Sequence, residues 1–239
     1  EQCGCDCPTP LLECLKKESI CPYAAALAKY IVKGLEFDED PMSIKEAVRL
    51  DFKNTYCGIK TEINVKQSKF KGGADAPVTI VEVSDFECPF CAASHQVLAK
   101  IVKKYNGKVK LYFKYYPLNS HPNSEIASKA AEAAGIQGKY WEMVDLLFLN
   151  QDFLSEKVIV EMAKVLEMDI DKFSKDLKDQ SLFDKPMADK KEMSDKGVKS
   201  TPQIFINGMP FLLLRTEDML SARIDYLLSD SKCCPKGKK

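Results

Sequence analysis

The chain carries no net charge: 35 Lys and Arg offset 35 Asp and Glu among its 239 residues. That absence excludes a global field able to recruit nucleic acid or an anionic membrane surface. There is no apolar run of about 18 residues, the length a helix needs to span a bilayer. Internal repeats and low-complexity tracts are absent as well. Histidine is scarce, with two residues, His95 and His121, far apart in the chain. No signal peptide is visible. The start Glu1-Gln2-Cys3 predicts a mature or trimmed form whose export signal is gone.

Cysteine, by contrast, is abundant, at 10 residues, and 45% of the chain is hydrophobic, enough for a packed core. Cytosolic proteins rarely carry so many cysteines without metal. Cys3, Cys5, Cys7, Cys14, Cys21, Cys57, Cys233 and Cys234 gather toward the two ends of the chain. They are candidates for structural disulfides in an oxidising compartment, with a connectivity that sequence does not choose. The cluster Cys3-x-Cys5-x-Cys7 also admits a second redox centre or a metal site.

The remaining pair, Cys88-Pro89-Phe90-Cys91, is the most informative feature. It follows the apolar run Val78–Val83 and opens a helical stretch reaching Tyr105. A sulfur at a helix N-terminus faces unpaired N–H groups and the positive end of the helix dipole. Both favour the thiolate, the nucleophile of disulfide exchange. The competing reading is half of a zinc site, which needs two more ligands. No second C-x-x-C exists, so the N-terminal cysteines would have to supply them.

Period and punctuation divide the chain. Residues 1–66 predict a cysteine-rich helical region: Leu11–Leu15, a helix after Pro22 that stops near Gly34, and a third opened by the capping box Ser43–Glu46. Lys71–Pro77 reads as a turn-rich linker. Val78–Val83 and Val109–Tyr115 predict strands flanking the helix, a βαβ unit. Five helical pieces follow over 124–196. Gln203–Ile206 and Met209–Leu214 predict a hairpin about Asn207-Gly208, and Thr216 caps a last helix, 217–228. The organisation expected is 1–66, then 67–232 with a helical insertion at about 120–197, then a tail, 233–239.

The motif Asp85-Phe86-Glu87-Cys88-Pro89-Phe90-Cys91 after a strand, with Ser200-Thr201-Pro202 before a late hairpin, resembles the thioredoxin superfamily. The long insertion makes it similar to the DsbA-type thiol-disulfide oxidoreductases. The resemblance covers roughly residues 70–230. It implies an α/β thioredoxin fold, preceded here by the cysteine-rich extension. It also implies an exposed nucleophile at Cys88, a resolving Cys91 and a cis bond at Thr201-Pro202 that aligns an extended substrate, with Pro89 and Phe90 beside it. An ordinary trans proline at a strand start is the alternative for Pro202. Glu82 matches the family's buried acid, which exchanges protons with the resolving sulfur, provided that both faces of its strand are covered; otherwise it points to solvent. Lys114 is a possible neighbour.

The resemblance further implies protein thiol or disulfide substrates and a membrane redox partner. It implies no organic cofactor and no metal. The location implied is periplasmic or otherwise extracytoplasmic. Phe90 stands where the strong oxidants of the family carry His. It offers the thiolate neither charge nor hydrogen bond, which leans toward the reductase or isomerase end rather than oxidase. A non-catalytic scaffold on the same fold is the rival. Asp85 and Glu87 read as solvated loop residues, His95 as a surface histidine, and Trp141 as core. His121 has no assigned role.

Overall fold

The computed structural model describes residues 22–57 and 60–229. The predicted helix at Leu11–Leu15 and the disulfide candidates Cys3, Cys5, Cys7, Cys14, Cys21, Cys233 and Cys234 lie outside the described residues. Cys57 is described only as the backbone end of a helix.

The described chain runs α1 (Pro22–Glu36), α2 (Pro41–Cys57), β1 (Phe70–Gly72), β2 (Val78–Ser84), α3 (Pro89–Lys104) and β3 (Val109–Tyr115). Then come α4 (Ser124–Ile136), α5 (Tyr140–Leu149), α6 (Glu156–Val165), α7 (Ile170–Leu177) and α8 (Asp184–Asp195). It closes with β4 (Gln203–Ile206), β5 (Met209–Pro210) and α9 (Glu217–Leu228). Among the described residues the sheet has five strands in the order β1-β3-β2-β4-β5. β2 and β3 are parallel, joined by the α3 crossover, and every other neighbour pair is antiparallel. No helix among the described residues is long and apolar enough to cross a membrane.

Alternation along β2 sorts its residues between two covered faces. Val78 and Ile80 join Leu98, Ile101, Leu111 and Ile206 in one core. Val81 and Val83 join Met193, Val198 and Phe205 in another, beneath α8. Because both faces are covered, Glu82 is buried. A third core unites Phe86, Cys91, Phe113 and Tyr115 with apolar side chains of the insertion helices.

Several local expectations change. Phe70–Gly72, partly read as linker, is an edge strand paired with Tyr112–Lys110. Three residues carry too little periodicity to announce a strand. Gly72 has φ +109, and a Cβ there would meet the Val109 carbonyl oxygen at 2.2 Å, so only glycine fits. Gly34 does not stop α1. It lies within the helix where α2 approaches, a Cβ there meeting Ile44 at 2.7 Å. The start of α2 belongs to Asp40, whose Oδ2 accepts from Ser43 N at 2.9 Å, with Pro41 just inside. The partner strand of the hairpin is two residues, Met209–Pro210, not six. Beyond it, Leu212 N donates to Asp51 Oδ1 of α2 at 3.2 Å, so a helix takes the bond a strand would have taken.

The described part of the N-terminal region shares its core with the sheet. Leu27, Tyr30 and Ile44 pack in the same cluster as Val78, Ile80 and Met219. Thr61 N donates to the Gly208 carbonyl at 2.8 Å, which ties this segment to the hairpin turn.

Candidate active site

The site is assembled from the top of β2, the start of α3 and the loop before β4. Cys88 is the N-cap of α3, in extended conformation, and Pro89 occupies N1, where its fixed φ and missing N–H suit the first turn. The Cys88 side chain makes no capping hydrogen bond. Its carbonyl accepts from Cys91 N at 2.9 Å and Ala92 N at 3.2 Å, so one turn separates the two sulfur-bearing residues. Both cysteines are free.

Cys88 is 5% exposed and Cys91 0%. Cys88 is therefore more enclosed than expected, because the Thr201-Pro202 loop lies against it. Its Sγ lies 3.7 Å from the Thr201 carbonyl oxygen. The Thr201-Pro202 peptide bond is cis. Pro89 is exposed, and Phe90, 74% exposed, stands out into solvent at the rim.

Burial pushes the Cys91 thiol up to about 12, against the Ser84 and Thr201 side chains and the Asp85 backbone, which favour the anion; the neighbouring Cys88 adds to the rise. At neutral pH Cys91 is therefore held as a thiol. Glu82 lies on the same strand as Ser84. Its Oε1 accepts from Ser84 Oγ at 3.1 Å, and its Oε2 lies 2.8 Å from His95 Nδ1. His95 Nε2 is 2.9 Å from Asp145 Oδ1. Burial alone would discharge the imidazole, but Glu82 and Asp145 outweigh it and its pKa is pushed up to about 9. Asp145 moves the other way: burial opposes its ionisation, yet His95 and Lys71 hold it below the usual carboxylate range.

His95 is thus no surface residue. It lies one turn after Cys91 on the face that α3 turns toward β2 and α5. Phe148 stacks on its ring at 4.7 Å and Trp141 at 6.4 Å between centroids. Lys114 is not the neighbour of Glu82. It pairs in register with Val83, so its side chain points to the opposite face, where it meets Asp189 at 2.6 Å and Glu192 at 2.9 Å.

Asp85 and Glu87, read as solvated, are structural anchors. Asp85 Oδ1 accepts from Glu87 N at 2.8 Å and from Ser124 Oγ at 2.6 Å. Its Oδ2 accepts from Leu118 N at 2.6 Å and lies 3.1 Å from His121 Nδ1. Glu87 takes both the backbone and the side-chain amide of Asn123, at 2.6 and 2.9 Å. Together they clip the loop before Cys88 to the start of the helical insertion. Neither position carries a sequence signal for this, because the donors lie more than 30 residues away.

Arg215 was not anticipated. It donates from Nη2 to the Pro202 carbonyl at 2.8 Å. Burial pulls its pKa down, while the Cys91 and Cys88 sulfurs favour its charge. A cation therefore stands behind the loop that covers the dithiol.

With this geometry in place, the family described as Thioredoxin matches over residues 64–226. Among curated proteins, the Na(+)/H(+) antiporter NhaA 3 of Salinispora tropica is 33% identical over 168 residues, 70% of this chain and 26% of that protein. The Na(+)/H(+) antiporter NhaA 1 of Salinispora arenicola is 31% identical over 170 residues, 71% of this chain and 26% of that protein. The chain spans about a quarter of the length of the curated relatives it matches. Among solved structures, oxidised BdbD from Bacillus subtilis superposes with a TM-score of 0.62 at 22% identity, over 71% of this chain and 97% of that one. The thiol-disulfide exchange protein α-DsbA2 from Wolbachia pipientis gives 0.62 at 20% identity, over 77% and 95%. A periplasmic thioredoxin-like protein from Salmonella enterica serovar Typhimurium gives 0.58 at 19% identity, over 67% and 90%. The fold they share with this chain is the DsbA-like thioredoxin fold.

Proposed function

Because this chain belongs to the thioredoxin family, we propose that it is a thiol-disulfide oxidoreductase acting on protein substrates in an extracytoplasmic compartment. The observation that carries the reading is the asymmetry of the dithiol. Cys88 caps a helix with its sulfur uncommitted to the backbone amides, while Cys91 is held as a buried thiol near the Ser84–Glu82 pair. Cys88 forms the mixed disulfide. Cys91 gives its proton toward Glu82, attacks Cys88 and releases the substrate. The Thr201-Pro202 loop, opposite Cys88, aligns the substrate backbone, and Pro89 and Phe90 line its path.

Phe90 supplies neither charge nor donor to the sulfur, which favours the reductase or isomerase direction over strong oxidation. A membrane redox partner recycles the pair. The cysteine-rich ends of the chain and the periplasmic neighbour support the compartment assignment. Ion transport is named for the whole of the curated relatives, and the proposal concerns only the segment they share with this chain. Residues 67–232 form the catalytic unit, with its insertion at about 120–197, and the N-terminal region braces it.

A Cys91→Ser variant should accumulate mixed disulfides with protein partners, and the intact chain should reduce insulin faster than it oxidises a reduced peptide. Absence of any trapped adduct, with no exchange in either assay, leaves the fold as a binding scaffold. Faster oxidation than reduction overturns the direction alone.

A further inference from the structure

The proton that Cys91 must lose has to reach water, and Glu82, which Ser84 links to the Cys91 thiol, is completely enclosed. Ser84 is enclosed as well, so the proton cannot leave by returning past it. On its other oxygen Glu82 meets His95, at 2.8 Å. The far nitrogen of that ring meets Asp145 at 2.9 Å, and Asp145 Oδ2 accepts from Lys71 Nζ at 2.9 Å. The side chains of Glu82 and His95 are 0% and 4% exposed, whereas those of Asp145 and Lys71 are 46% and 32% exposed. The row therefore begins in the interior, at the carboxylate that Ser84 joins to Cys91, and ends in solvent. A structural ion pair needs one carboxylate on a histidine. Two carboxylates, one on each ring nitrogen, make a group that can take a proton on one side and release one on the other.

We propose that Glu82, His95 and Asp145 form the proton exit of the resolving cysteine, opening to water between α5 and β1. The proposal rests on the reading of Cys91 as the resolving thiol. In the resolving step the Cys91 S–H proton passes by Ser84 Oγ to Glu82 Oε1. The Cys91 sulfur then attacks Cys88 Sγ with its electron pair. The Cys88–substrate S–S bond breaks, and the substrate leaves as a thiolate carrying that bond's electron pair. His95 enters this step protonated on both nitrogens. It releases its Nε2 proton to Asp145 and thence to water. The carboxylic acid–imidazole pair left behind holds the same number of protons as the carboxylate–imidazolium pair at rest. When Cys91 instead departs as a thiolate, its proton arrives by the same groups in reverse.

The charged groups facing the ring are Glu82 from β2, Asp145 from α5 and, behind Asp145, Lys71 from β1; the Trp141 and Phe148 rings cover its faces. In the sheet order, β1 lies on the opposite side of β2 from β4 and the Thr201-Pro202 loop. A substrate held against that loop leaves the exit open.

The reduced full-length chain reacting with an aromatic disulfide reagent releases chromophore in two phases. The first is mixed-disulfide formation at Cys88 and the second is attack by Cys91, each read against mass mapping of the adduct. Asp145→Asn and His95→Gln should each slow the second phase relative to the first by at least about tenfold at neutral pH and flatten its pH profile. The single tryptophan gives a separate reading. Trp141 fluorescence should titrate with a midpoint near 9 in the wild type, shift downward in Asp145→Asn and lose the transition in His95→Gln. Unchanged phase ratios and pH profile in Asp145→Asn overturn the exit even if His95→Gln is slow, since the histidine is then only structural. A wild-type chain that shows no second phase defeats the exchange reading itself.

Discussion

Arg215 Nη2 lies 2.8 Å from the Pro202 carbonyl oxygen, one peptide from the Thr201 carbonyl that faces Cys88 Sγ. The loop that lies against the dithiol is thus pinned from behind by a cation whose charge is favoured by both sulfurs. Three residues before Arg215, Leu212 N donates to Asp51 Oδ1 of α2 at 3.2 Å.

Removing that cation should make the pair more reducing. The guanidinium stabilises thiolate, which exists only in the reduced state, so its loss favours the disulfide. Arg215→Met should lower the potential by about 10–30 mV, equivalent to ~0.5–1.4 kcal/mol, with Arg215→Lys in between. Equilibration against glutathione measures it, and an unchanged potential in both variants removes Arg215 from the redox chemistry.

Folding stability should depend on pH through His95. Its folded pKa is pushed up to about 9 from an ordinary 6.5, so the native state binds the proton more tightly than the unfolded chain. The stabilisation is complete below about 6.5 and is lost as pH rises through 9. Up to about 3 kcal/mol should disappear across that window. Urea unfolding at stepped pH should show this slope in the wild type and lose it in His95→Gln; equal slopes would mean that the imidazole is not held charged. The lowered Asp145 carboxyl is the same interaction seen from its partner and adds nothing separate.

Alkylation should discriminate between the two cysteines. With its thiol pushed up to about 12 and no surface exposed, Cys91 should resist iodoacetamide at neutral pH, while Cys88 is modified. Peptide mapping after brief exposure reads this directly. Comparable labelling of both would contradict the buried thiol.

Asp85→Ala should destabilise the fold by about 3 kcal/mol, because it strands the Leu118 N–H and the Ser124 hydroxyl that the carboxylate receives. The same variant should sensitise residues 118–124 to proteolysis more than α3. A loss below about 1 kcal/mol, within the range of ordinary surface substitutions, would show that water replaces the carboxylate.

Local chemistry is what the sequence by itself determined. Pro89 after Cys88 reads as a helix start because proline at N1 needs no hydrogen-bond partner, and the structure begins α3 there. Short β-rich runs bounded by turn residues place β2 and β3, and β3 runs Val109–Tyr115 as read. For Glu82 the sequence left two readings, buried or facing solvent, and the helices docked on both faces of β2 decided for burial. The rest depended on partners distant in the chain. His95 finds Asp145, 50 residues on. Asp85 finds Ser124, 39 residues on. Leu212 finds Asp51 across 161 residues. A polar side chain in isolation looks solvated, since water satisfies it at no cost. Only when packed helices exclude that water must each carboxylate, imidazole and amide find a counterpart, and which counterparts meet is set by how the layers dock, a decision that belongs to the tertiary structure.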